Sequence, residues 1–168
     1  YLAQAMPPLY FMKCSEVFFL MAEGALRGWN MNGTPQQFYE QGIRYAALEA
    51  RTTMNNEYNQ LVDEYLNVEA PKHIPYVDPQ GLTPDMPSVT KIGVKWNESD
   101  SKEIKLEKII TQKYIASFPY SYESWVDLRR VGYPKLFPIL GSRHGDGSIK
   151  LGKSNVQTAV NIMRRIPW

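Results

Sequence analysis

The chain has 168 residues, 43 % of them hydrophobic, with one cysteine and a formal net charge of +2. That length allows one domain with a real core. A lone cysteine excludes an internal disulfide framework and a multi-cysteine metal site, and a weak positive charge without a basic patch argues against nucleic acid as a partner.

Tyr1 is not a methionine and Trp168 directly follows a proline, so we expect a portion of a longer polypeptide. The first predicted element is a helix from Met12 to Arg27. Phe18, Met21, Ala22 and Ala25 recur at helical spacing, and the polar positions narrow to Lys13, Glu16, Glu23 and Arg27. Such a helix is expected to be buried on two sides, with Cys14 a buried thiol near its start and Gly28 its stop. Its longest apolar run, Val17 to Ala22, lies between two glutamates and is far shorter than the roughly 20 residues that span a bilayer.

Thr34-Pro35-Gln36-Gln37 opens a second helix with a threonine cap, proline at the first helical position and glutamine three residues after the cap. Gly42, Ala46, Ala47 and Ala50 leave one side small enough for a close neighbour. The short connection predicts an antiparallel αα-hairpin. A shorter helix is expected over Asn56 to Leu66. Five prolines between Pro71 and Pro87 then forbid regular structure, so about 67–99 reads as a long irregular excursion of the kind that is often functional. Asp100-Ser101-Lys102-Glu103 reads as a second capping box. Leu106, Ile110, Tyr114 and Phe118 follow it, and Pro119 ends the run.

The last predicted helix is capped by Ser121, carries Glu123 in its first turn and Arg129-Arg130 in its last, and stops at Gly132. Tyr122, Trp125 and Leu128 are expected to bury against Ile110 and Tyr114, and Trp29 and Trp125 to pin helix ends into the core. Beyond Pro134 the chain is glycine-rich and loop-like, with a short element over 156–163. The fold class is therefore mainly α, in antiparallel helix pairs with long irregular loops.

Glu123 and Asp127 are the first enzyme idea, a carboxylate pair for glycoside hydrolysis, but their i, i+4 spacing is also ordinary for a helix surface. Asp127 falls within reach of Arg130 or Lys135. His73 and His144 stand in separate loops without ligand-spaced partners, and Asp146 between two glycines reads as a turn, so neither a metal nor another cofactor is expected. Tyr76 and Trp96, in or beside the excursion, are the aromatic residues expected to be exposed and to contact a ligand.

The segments "SEVFFLMAEGALRGW", "FYEQGIRYA", "KLEKIITQKYIASFPYSYESWVDLRRVGYPKLFP" and "MRRIPW", in that order, resemble the SusD/RagB family of nutrient-binding outer-membrane lipoproteins. The match is densest at Glu107, Gln112, Lys113, Trp125, Arg129, Arg130 and Gly132, and again at Arg164 and Arg165. The resemblance implies that residues 1–168 form the C-terminal region of such a domain, with tetratricopeptide-like helix pairs under long binding loops. It implies a non-enzymatic protein on the cell surface that captures an oligosaccharide or peptide for a SusC-like TonB-dependent transporter. Its membrane anchor would be a lipidated N-terminal cysteine outside this chain, since Cys14 opens a helix rather than follows a leader. The matching motif residues are expected to serve the scaffold. Two other readings stand beside this one: a tetratricopeptide-type module that binds only another protein, and a helical glycosidase using Glu123 or Asp127.

Overall fold

The computed structural model describes residues 11–50, 56–70, 73–79, 81, 85–119 and 122–137. Ser121, the element expected over 156–163, His144, Asp146, Arg164 and Arg165 lie outside them. Among the described residues the fold is helical, with α1 (Cys14–Leu26), α2 (Pro35–Glu49), α3 (Asn56–Leu66), α4 (Lys102–Ser117) and α5 (Tyr122–Val131). No helix among them is long and apolar enough to cross a membrane.

The helix ends follow their local chemistry. At the end of α1, Gly28 takes φ +89, the Gly28 N–H bonds the Ala25 carbonyl and the Trp29 N–H reaches back to Gly24, closing a Schellman turn. The capping box of α2 is complete: Thr34 Oγ1 accepts from the Gln37 N–H at 3.2 Å and the Gln37 side chain accepts from the Thr34 N–H at 3.0 Å. The box expected at Asp100 does not form. Ser101 is the cap instead, accepting from the Ile104 N–H, because the Asp100 carboxylate is drawn away to Lys108 at 2.5 Å.

α1 and α2 form the expected antiparallel hairpin. Ser15 meets Glu49, Phe18 stacks on Tyr45, and Phe19 sits where a Cβ on Gly42 would come within 2.7 Å of its ring. The small residue at position 42 thus sets how closely the two helices approach. Phe19, Tyr39, Ile109 and Ile110 form the centre of the core.

The polar stripe of α1 turns partly inward. Glu23 is buried, whereas Val17 and Leu20 are exposed. The cause is a chain of opposite charges between α1, α4 and α5. Glu23 takes a two-pronged bond from Arg130 and a further one from Arg27. Arg130 also reaches Asp127 at 2.9 Å, and Asp127 in turn pairs with Lys113 at 2.9 Å, with Glu16 beside that lysine at 3.5 Å. Lys113 and Asp127 keep 4 % and 6 % of their side-chain exposure.

This pull also turns α5. Ser124 and Asp127 go inward, while Tyr122 and Trp125 stay outside. The burial expected of Trp125 and Tyr122 is therefore corrected. Trp125 shares an open groove with Tyr114 and Leu128, its ring covered at 4.4 Å by the Arg129 guanidinium. Trp29 is likewise exposed rather than pinned, since Met31 occupies the space beside Gly24. Cys14 is exposed as well. Its neighbour Ser15 takes the buried position, where its N–H and hydroxyl both donate to Glu49.

Removing one partner from a buried ion pair strands the other. Asp127→Ala is expected to lower the unfolding free energy by about 3–5 kcal/mol, read by urea denaturation under far-UV circular dichroism. Asp127→Leu with Lys113→Met should recover most of that loss. The network is also acid-sensitive. Burial alone would push the Glu23 carboxyl up, but hydrogen bonds from Arg130 and Arg27 outweigh it and hold it below its ordinary 4.5. Its contribution is fully present above about pH 4.5 and is lost as pH falls through the lower folded value. Glu23→Gln should be less stable than the parent at pH 7, and the gap should begin to close only below about pH 4.5, as pH falls through the lower folded value.

Candidate functional site

The irregular excursion is a loop closed at its base. The Val68 carbonyl accepts from both the Val94 N–H at 2.8 Å and the Lys95 N–H at 3.0 Å, and Lys95 pairs with Glu69 at 2.5 Å. Two backbones meet here so closely that a Cβ on Gly93 would lie 1.8 Å from the Glu69 carbonyl oxygen. The neck is fixed to the scaffold by Tyr39, whose buried hydroxyl donates to the Val94 carbonyl at 2.7 Å. Burial raises the Tyr39 pKa well above the usual phenol range, so it remains a donor. Farther out, Tyr76 and Met86 exchange backbone bonds of 2.9 Å, which makes an antiparallel bridge across the loop.

Tyr76 is 37 % exposed, with its ring 5.9 Å from that of Phe137. One edge of this phenol is thus held by the segment after α5. Trp96 does not meet its expectation of exposure. It is 7 % exposed, packed on Tyr39 at 5.2 Å, and its indole N–H donates to Glu98. The residue lies just past the neck, where the loop re-enters the core, and a large ring is the natural plug there.

Over this base lies a polar cleft of about 700 Å³. Lys91, Lys95 and Lys108 line it together with Glu69, Glu98 and Asp100, and Gln36, Asn97, Trp96, Ile92, Gly93 and Ile104 complete the wall. Hydrogen bonds from Lys105 and then Trp96 lower the Glu98 pKa, and the bond from Lys95 lowers that of Glu69. Both stay charged and the cleft is balanced in sign. A second recess of about 600 Å³ between α2, α3 and α4 is apolar. Among its polar groups, Glu49 accepts from Ser15, Gln112 accepts from the Tyr65 hydroxyl and Lys13 donates to the Ala116 carbonyl.

The residues carried by the motif divide by partner. Glu107, Gln112, Lys113 and Arg130 each bond to another part of the fold. Arg129 covers Trp125, and Gly132 ends α5 at φ +78. Asp127 meets Arg130 as expected, while Lys135 goes to Glu107. Sequence reasoning missed Tyr39, Gly93 and Thr90. A glycine directly before an apolar-basic-aromatic run was the one available sign of the neck.

Gly93→Ala is expected to break the neck, since backbone cannot yield the space that a methyl needs. Proteolysis should then cut the loop at least about tenfold faster, with helix content by circular dichroism unchanged.

The family model described as "Susd and RagB outer membrane lipoprotein" matches residues 2–168. No individually curated protein matches the chain. Among solved structures, a chitin-binding SusD homolog from Flavobacterium johnsoniae is 42 % identical with a TM-score of 0.71, over 83 % of this chain and 27 % of that one. SusD homologs from Bacteroides thetaiotaomicron and Bacteroides uniformis are 44 % and 43 % identical with TM-scores of 0.70 and 0.73, over 83 % and 86 % of this chain and 28 % of each of theirs. The chain therefore spans little more than a quarter of the length of the solved structures it matches. It belongs to the SusD/RagB family of outer-membrane lipoproteins.

Proposed function

We propose that the protein carrying this chain is a non-enzymatic nutrient-binding lipoprotein on the outer face of the outer membrane. It captures an oligosaccharide, or a peptide, and hands it to a SusC-like TonB-dependent transporter. Its membrane anchor is a lipidated cysteine outside this chain. Family membership carries the reading, and the 42 % identity to a chitin-binding homolog favours a glycan. In this chain the loop from Val68 to Val94 and the cleft at its foot are the parts that meet the ligand. A sign-balanced wall of amide, ammonium and carboxylate groups suits a neutral, hydroxyl-rich molecule, which needs donors and acceptors without net charge. Tyr76 offers an aromatic face at the loop's outer part. Trp96 contributes to the wall of the cleft.

The intact protein should bind chitohexaose or another member of a glycan and peptide panel saturably in calorimetric titration, without shortening it. It should also co-purify with a large outer-membrane barrel. Release of shorter sugars would replace this reading with the glycosidase one. Partner capture that no sugar or peptide competes away, with no ligand bound, would replace it with the interaction module.

A further inference from the structure

The neck holds the base of the loop, but something else must hold its outer limbs. Glu107 lies in the middle of α4 and is 3 % exposed. One of its oxygens accepts from the Thr90 hydroxyl at 3.1 Å, and the other accepts from Lys135 Nζ at 2.7 Å. Thr90 belongs to the returning limb of the loop, and its carbonyl is itself held by Ser88 at 3.0 Å. Lys135 belongs to the segment after α5, in which Tyr133 bonds Glu103 and Phe137 packs on Tyr76. A single buried carboxylate thus ties α4 to the loop on one side and to the segment that abuts Tyr76 on the other.

We propose that Glu107 is the positioning residue for this loop: it fixes where the outer limbs stand over the scaffold and so tunes ligand affinity without touching the ligand. The inference rests on the reading of the loop as the part that meets ligand. A carboxylate is suited to the task, since it accepts two bonds at once in different directions, one of them charge-assisted. Lys135 is 39 % exposed, so losing the carboxylate leaves it in contact with water rather than stranded.

The test uses the intact protein with Glu107→Ala, Thr90→Val and Lys135→Met, read by amide exchange and chitohexaose titration. Loss of a hydrogen bond of this kind corresponds to about a fivefold change in an equilibrium. In Glu107→Ala and Thr90→Val the amides of Tyr76 and Met86 should exchange about fivefold faster, while the neck amides of Val94 and Lys95 keep the parent rate. Affinity should fall by a similar factor with the melting temperature of Thr90→Val unchanged, and Lys135→Met, which leaves the Glu107 carboxylate buried without its cation, should lose at least as much as Glu107→Ala. Parent-like exchange at Tyr76 and Met86 in Thr90→Val overturns the proposal. Equal acceleration of neck and outer amides also overturns it, because Glu107 would then serve the fold as a whole. A parent protein that binds neither chitohexaose nor any other panel member refutes the glycan and peptide reading instead, and the exchange data still judge the anchor.

Discussion

A polar side chain taken out of water must find its partner inside the protein, and α4 applies that constraint four times within seven residues. Glu107, Lys108, Gln112 and Lys113 are all buried. Glu107 is met by Thr90 and Lys135, and Lys108 by Asp100 and the Lys95 carbonyl. Gln112 is met by Tyr65 on α3, and Lys113 by Asp127 on α5 with Glu16 of α1 nearby. The partners lie on α1, α3, α5, the segment after α5 and the connection that leads into α4, so one helix specifies where the others stand. Ion pairs of this sort add little net stability over an apolar core of equal volume. What they supply is a large penalty for every arrangement in which one of them goes unmet.

The same constraint explains which expectations held. Helix ends were legible because their chemistry is local: Thr34 with Gln37, Gly28 and Gly132 act within a few residues of themselves. The hairpin of α1 and α2 followed from a short connection and small residues. The inward face was less legible, because hydrophobic periodicity assumes that charge points to water. On α1 and α5 charge points inward, toward Lys113 and Arg130, and the apolar side chains of Val17, Leu20 and Trp125 are left outside. A single sequence names the charged residues but not the long-range pairs they make.

The candidate site divides along the same line. That the described residues of 67–99 would hold no helix was evident from the prolines of that stretch. That the excursion closes on itself was not, because closure uses backbone groups, Val68 with Val94 and Lys95, which every residue possesses. The exposure of Trp96 was misjudged for a related reason. Trp96 stands two residues past Val94, the end of the loop by sequence, but inside the core by contact, against Tyr39.

A neck of this construction separates the two duties of the chain. Its bonds come from main-chain groups, from the missing side chain of Gly93 and from a tyrosine on α2. None of these depends on the identity of the residues between Tyr76 and Ser88. The outer loop can change its surface chemistry while the base keeps its geometry, provided that one hydroxyl near position 90 still reaches Glu107 and one apolar ring still meets Phe137. Under the proposed function, limbs held in place before a ligand arrives lower the entropy that binding must overcome. Two anchors on the helix stack hold those limbs with few fixed residues and leave the rest of the loop's sequence free of that duty.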